Sequence, residues 1–409
     1  MREFEHPNHS PTTPSVEVLS AMQLRNISEP LFPNLISLSL LRIQESFIPF
    51  ILLFLSPRTT SVYIGFGSIP TGSVIASMIT TLPTLCPNLQ RVTFCSLPKD
   101  PVITTAISGM LLATNRKTLQ RWRVSCPLTE EANNVLYRLP NLRTLSVHIE
   151  RGTSSPSASL PNLTELSIVC DNESSWLGLF RRAIFGKLES VSFYIRSEPI
   201  GDFLGAFEEV ALSSSIQNTL LELHFIPLCP LSSSYSSLLA FTRLEILKIN
   251  SFCNGRCLST ADDNMIIHLS RAMSKLKVLE LGGVPCRQFP GGVTTKGLVA
   301  LARNCPNLFS LQVHLQVSSL KALPASPGVT PDIETTTPCV DCALTCLEVG
   351  NIPLPEGSVS MVAQTLRRIF PRIEIIDGVG EMWEKVGKEI SRSRQTFGCT
   401  GSRHALTMP

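Results

Sequence analysis

Apolar side chains recur along this chain in one short register. The chain reads LFPNLISLSL around Leu35, LCPNLQRVTF around Leu89, LPNLRTLSV around Leu142, LPNLTELSI around Leu163 and NCPNLFSLQV around Leu308. The shared form is Pro-Asn-Leu-x-x-Leu-x-Φ, with Φ apolar. Other copies lose the Pro-Asn and keep the spacing: Leu119/Trp122/Val124, Leu188/Val191/Phe193, Leu220/Leu223/Phe225, Leu244/Leu247/Ile249, Leu276/Leu279/Leu281 and Leu344/Leu347/Val349. Thr59/Val62/Ile64 is a degenerate copy, and Ile373/Ile376 a weaker one that closes the series. First positions thus run from Leu35 to Ile373 with a mean period of roughly 28 residues, the signature of a repeat array.

Each element of the pattern has a physical meaning. Alternation at Leu-x-Φ predicts a short strand with every second side chain inward. Between strands, Ser73 to Leu82, Thr129 to Leu139, Ser175 to Phe185, Ala261 to Met273 and Lys296 to Arg303 show helical spacing. Thr129-Glu130-Glu131 and Thr260-Ala261-Asp262-Asp263 supply N-caps and first-turn acids. The proline of Pro-Asn-Leu stops each helix and feeds the next strand. Strand then helix, repeated, predicts an α/β leucine-rich-repeat solenoid, with a curved parallel sheet on the concave face and helices on the convex face. Each unit would bury about three large apolar side chains at about 1.5–3 kcal/mol each, so none would fold alone.

The array is expected over residues 15–390. Residues 1–14 and 395–409 read as disordered, 316–340 (rich in Ser, Thr, Pro and Ala) as a protruding loop, and 151–159 as a smaller one. Residues 381–394, EMWEKVGKEISRSR, predict a capping helix with Met382, Trp383, Val386 and Ile390 on one side. Val16 to Asn26 predicts a short helix at the other end.

Composition narrows the function. Hydrophobic residues are 43 % of the 409, charged residues only 16 %, and the net charge is +3. That balance argues for a large core and against nucleic acid or membrane as partner. The polar, Pro-rich start is no secretory signal, and the longest apolar run, Phe47 to Leu55, is shorter than the roughly 20 residues a bilayer needs. The 13 cysteines are odd in number and scattered, some at core positions such as Cys86 and Cys305. They read as reduced thiols of a cytoplasmic or nuclear protein.

Signals for chemistry are weak. The chain contains no phosphate loop, no G-x-S-x-G and no H-E-x-x-H. Gly378-Val379-Gly380 reads as a turn. Cys339-x-x-Cys342-x-x-x-Cys346 resembles half of a zinc site, but a zinc site takes four ligands and no second half lies near in sequence. Cys346 should face the concave side and Leu344 and Leu347 the core. No catalytic, cofactor or metal residue is assigned, and the chain is not expected to be an enzyme. Binding of a protein on the concave face is the expectation, through Tyr63, Arg91, Arg121, Arg123, His148, Tyr194, Glu222, His224, Lys248, Glu280, Gln312 and His314.

The strand entries, together with FIPFILLFLSPRTTSVYI after the first of them, resemble the leucine-rich part of F-box proteins of mushroom-type fungi over roughly residues 15–390. The resemblance implies the substrate receptor of an SCF ubiquitin ligase, with the adaptor and cullin as further partners. It also implies an F-box of about forty residues near the N-terminus. This chain is already in repeats by Leu35, so no adaptor-binding residue is carried over. The alternatives are a scaffold with no ligase link and a paralogue that has lost its F-box.

Overall fold

Alternation after each first-position residue accounts for the strands in the computed structural model of the chain. The structure describes residues 3–6, 20–21, 30–67, 71–150, 158–170, 173–195, 215–226, 235–250, 261–282, 292–320, 342–349, 353–378 and 380–396. The class is α/β, with parallel strands joined by helical connections. The chain forms two compact units, Met1–Leu220 and Leu221–Pro409.

In the first unit the main sheet has strands β1 (Glu3–His6), β2 (Ser37–Ile43), β3 (Ser61–Phe66), β4 (Arg91–Cys95), β5 (Arg121–Val124), β6 (Thr144–Ile149), β8 (Glu165–Cys170) and β10 (Ser190–Ile195), paired in that order. Strands β7 (Ala158–Leu160) and β9 (Ala183–Phe185) pair separately. The connections carry helices α1 (Ile48–Phe54), α2 (Gly72–Leu85), α3 (Pro101–Ala113), α4 (Glu130–Leu136) and α5 (Glu173–Arg182). In the second unit, β11 (Glu222–Ile226), β12 (Ile246–Ile249), β13 (Val278–Leu281), β14 (Ser310–Val313), β15 (Cys346–Val349) and β16 (Ile375–Gly378) pair consecutively. Its helices are α6 (Asp263–Ala272), α7 (Thr295–Asn304), α8 (Val359–Ile369) and α9 (Glu381–Thr396).

The register keeps like positions together. Leu38, Val62, Val92, Trp122, Leu145, Leu166 and Val191 form one inward row across the first unit. Leu223, Leu247, Leu279, Leu311, Leu347 and Ile376 do so across the second. The first position of every copy is at most 1 % exposed. A polar side chain there must find a partner. Thr59 does, donating to the Leu35 carbonyl at 3.1 Å and accepting the Ser56 amide at 3.2 Å. Aromatics close the core against the helices: Trp176 of α5 meets Phe193 edge-on at 5.0 Å between ring centres.

Helix starts are tied across neighbouring connections. Asp262 caps α6, accepting the Met265 amide at 2.9 Å; Thr260, expected at this cap, lies outside the described residues. Asp263 instead reaches the next helix, where its Oδ1 accepts the amides of Thr294 at 2.8 Å and Gly297 at 3.1 Å and its other oxygen meets the Thr294 hydroxyl. A Cβ on Gly297 would lie 2.6 Å from that Oδ1 and 2.7 Å from Val293 Cγ1, so the contact requires glycine. The expected caps of α4 and of the C-terminal end are present. Thr129 accepts the Ala132 amide, and α9 buries Trp383, Val386 and Ile390. A Cβ on Gly378 would lie 2.7 Å from Trp383 Cγ.

Three expectations are corrected. Within residues 1–14, expected to be disordered, Glu3–His6 is a strand in register with Ser37–Leu40. The helix expected to reach Phe185 ends at Arg182, because Ala183–Phe185 pairs with Ala158–Leu160. Residues 158–159, assigned to a loop, therefore belong to a strand whose Ala158 and Leu160 are buried. Of the expected protruding loop, Gln316–Leu320 is described and includes a short 3-10 turn over Val317–Ser319; the rest lies outside the described residues, as do most of residues 16–26 and the tail beyond Thr396.

Three substitutions check this packing. Asp263→Ala should lower unfolding free energy by about 1–2 kcal/mol in urea titration, as loss of a helix cap does, and Gly297→Ala should act in the same direction. Leu247→Asp should cost the second unit roughly 3 kcal/mol or more, since the charge would lie unpaired in the inward row. An unchanged midpoint for Leu247→Asp would contradict the strand register.

Candidate functional site: the open face of the sheet

The residues between inward positions share the opposite face of each sheet. In the first unit one row is Ser37, Ser61, Arg91, Arg121, Thr144, Glu165 and Ser190. The next is Ser39, Tyr63, Thr93, Arg123, Ser146, Ser167 and Ser192. Neither row contains an aliphatic side chain. Hydroxyls fill them, with three arginines clustered on two adjacent strands.

Electrostatics within that cluster are uneven. Arg123 makes an ion pair with Glu165, whose second oxygen takes the Thr144 hydroxyl at 3.3 Å. Arg91 and Arg121 stand directly opposite each other on β4 and β5. Among the described residues neither belongs to an ion pair. Burial lowers the Arg121 pKa from its ordinary value, and the neighbouring Arg123 and Arg91 charges lower it further, against a smaller opposing effect of the Glu165 carboxylate. Beside them the Cys95 thiol and the Tyr63 hydroxyl share a hydrogen bond at 3.5 Å, and that contact, with burial, raises the Tyr63 phenol.

The second unit has a different character. Its central row is His224, Lys248, Glu280, Gln312, Glu348 and Asp377. Lys248 and Asn250 hold the two oxygens of Glu280 at 2.7 and 3.0 Å, and Gln312 donates to Glu348 at 2.9 Å. Burial raises the Glu348 carboxyl, with the Asp377 and Glu280 charges adding to it. The flanking row, Glu222, Ile246, Val278, Ser310, Cys346 and Ile375, is half apolar, and Ile375 is 58 % exposed. His314 lies beside Gly282, which has φ +136°; a Cβ there would be 3.1 Å from the imidazole.

Of the residues singled out from the sequence, Tyr63, Arg91, Arg121 and Arg123 share the open face of the first unit. Glu222, His224, Lys248, Glu280, Gln312 and His314 share that of the second. Tyr194 is 40 % exposed. His148 is a correction: it occupies an open-face row, with Val169 and Tyr194 beside it, yet is only 4 % exposed and is not available to a partner. Thr93 is buried as well, covered by its large ladder neighbours Tyr63 and Arg123. Asp377 was missed. The Ile373/Ile376 copy places it on the open face, but that copy is the weakest in the series.

The half-zinc motif does not assemble. Cys342 is buried with its thiol on the Leu308 and Cys305 carbonyls at 3.9 and 4.0 Å, whereas Cys346 lies on the open face; Cys339 is outside the described residues. Among the described residues no three His, Cys, Asp or Glu side chains converge as metal ligands, and no helix is long and apolar enough to cross a membrane. A cleft of about 420 Å³ along the strand starts is lined by Gln120, Asn141, Arg143, Asn162, Thr164 and Lys187. Its asparagines are engaged in the fold, Asn141 with the Lys117 carbonyl at 2.8 Å and Asn162 with that of Pro140 at 2.9 Å. No protein-family model matches the chain, and comparison with curated proteins found no significant match.

The histidines of the second unit give a pH test. Burial lowers the pKa of both His224 and His314, for His224 with the Lys248 charge assisting. The unfolded chain therefore takes up protons first, so the contribution to stability is full above the ordinary histidine pKa of about 6.5 and is lost as pH falls through the depressed value. Glu348, raised, works in the opposite sense. The difference between variants isolates the histidines: between pH 7 and pH 5 the melting temperature of His224→Asn/His314→Gln should fall less than that of the parent.

Proposed function

We propose that this chain is a leucine-rich-repeat solenoid that holds a protein partner on its open, concave sheet face, as the substrate-recognition part of an SCF-type ubiquitin ligase receptor. One observation carries the reading: within each unit, in-register strands place side chains that the core does not need in continuous rows on one face. Such rows are largely polar or charged, with one half-apolar row in the second unit, and can vary without altering the fold, which is what a recognition surface requires. Their mixture of arginine, tyrosine, histidine and carboxylates suits protein contacts. In this reading the chain performs no bond chemistry. It raises the local concentration of a substrate lysine near the conjugating enzyme, a proximity effect. The location consistent with this role is cytoplasmic or nuclear.

The strand entries support the ligase link by their resemblance to F-box proteins. A scaffold without a ligase is supported by the same open face, which needs no adaptor to hold a partner. Affinity purification of the tagged chain, probed for the SCF adaptor and cullin, separates the two. Recovery of both is the expected result. Recovery of a stoichiometric protein partner with neither subunit would sink the ligase link and leave the scaffold.

A further inference from the structure

The open face of the first unit carries a charge pattern that folding does not explain. Three arginines sit on two adjacent strands, and a single carboxylate, Glu165, answers Arg123. Glu165 is also committed to Thr144. The other two, Arg91 and Arg121, oppose each other directly across the ladder, where like charges are destabilising. Arg91 is exposed and Arg121 half-buried, so water screens the pair only in part. On the side away from Glu165 the same row continues as the hydroxyls of Ser61 and Ser37 and reaches a carboxylate, Glu3, only at its far end, three strands from Arg91. A like-charged pair that no ion pair joins among the described residues, with Glu165, the carboxylate that acts on Arg121, already given to Arg123 and Thr144, fits an external anion on a face the core does not use.

We propose that Arg91 and Arg121 anchor an Asp/Glu-rich segment of a protein partner laid across the open face of the first unit. The inference rests on the reading that this face holds a protein, and it names the chemistry of what is held. Planar guanidinium forks match carboxylates, two parallel hydrogen bonds to each. Nucleic acid fits less well, because tight binding to it uses several phosphate contacts and this row has two cations outside ion pairs among the described residues, with the carboxylates Glu165 and Glu3 in the same row. Tyr63, one row over, lines the same surface with a ring and a hydroxyl.

The test is fluorescence anisotropy of a labelled oligoglutamate peptide titrated with the full chain, at low and at physiological ionic strength. Binding is expected, weaker at the higher salt. Arg91→Gln/Arg121→Gln should weaken it about tenfold or more, as loss of charge-assisted hydrogen bonds does. Lys275→Gln/Lys296→Gln, an equal loss of charge in the second unit, should not. The Gln pair should also melt at or above the parent temperature, because a repulsion has been removed; a purely structural pair would melt lower. Arg91→Lys/Arg121→Lys keeps the charge and loses the forks, and should recover part of the binding. Undiminished peptide binding by the Gln pair, no binding by the parent, or preference for a single-stranded DNA oligonucleotide over the peptide would each overturn the proposal. A natural partner that the Gln pair still captures overturns the assignment to these arginines while leaving protein binding by the chain intact.

Discussion

Between one strand and the next, a single carbonyl oxygen accepts two successive amide hydrogens from the following strand. The Ile36 carbonyl takes those of Thr60 and Ser61 at 2.9 and 3.1 Å, and the Lys277 carbonyl those of Phe309 and Ser310 at 2.9 and 3.2 Å. The same step recurs at Thr60, Gln90, Gln120, Arg143 and Thr164 in the first unit and at Leu221, Glu245, Phe309 and Thr345 in the second. The carbonyl belongs to the residue after the first position, a position held by leucine in these copies except for Thr59. Its geometry holds only if that first residue is directed inward, which is why the position is the most uniformly buried in the chain. Side chains from the Pro-Asn-Leu turn reinforce the step. Asn141 and Asn162 each donate to a carbonyl of the preceding turn, and Arg58 donates to Asn34 at 2.8 Å. The recurrence of Pro-Asn is thus a matter of joining neighbours.

Fixing the register at the strand start fixes which residues are free. In the first unit the free positions are hydroxyls and arginines, and in the second they are carboxylates, two histidines and an apolar flank. The inward rows are nearly interchangeable between the units, Leu for Val or Ile, while the open rows share almost no chemistry. Divergence of that kind separates what the fold needs from what it leaves free. It also places Arg121, His224, His314 and Glu348, whose pKa values are shifted, on open rows where they are only partly covered.

Much of this was legible in the sequence because the main driving force, burial of Leu-x-Φ, is local and periodic. Leu35 through Ile373 announced the strands, and Met382, Trp383, Val386 and Ile390 the final helix. What stayed hidden depends on partners distant in sequence. Glu3–His6 is too short and polar to read as a strand, and is held by pairing with Ser37–Leu40. Ala183–Phe185 continues a helical pattern until Ala158–Leu160 supplies a ladder. Asp263 looks like a first-turn acid of its own helix, and only the fold brings Thr294 and Gly297 to it. His148 follows the alternation rule, so its burial could not be read from spacing. At the candidate site the sequence could list outward positions but not the Arg123–Glu165 pairing, beside which Arg91 and Arg121 join no ion pair among the described residues.

The central claim, that each repeat divides its residues between core and open face, is tested most directly by thiol alkylation of the native chain followed by peptide mass spectrometry. Cys342 and Cys346 are four residues apart on opposite sides of that division, and Cys86, Cys126 and Cys305 lie in the core with thiols that burial pushes up to about 11, 12 and 12. The account predicts that iodoacetamide labels Cys95 and Cys346 in the folded protein, while Cys86, Cys126, Cys305 and Cys342 label only when urea unfolds it. Native labelling of Cys342 as fast as that of Cys346 would contradict it.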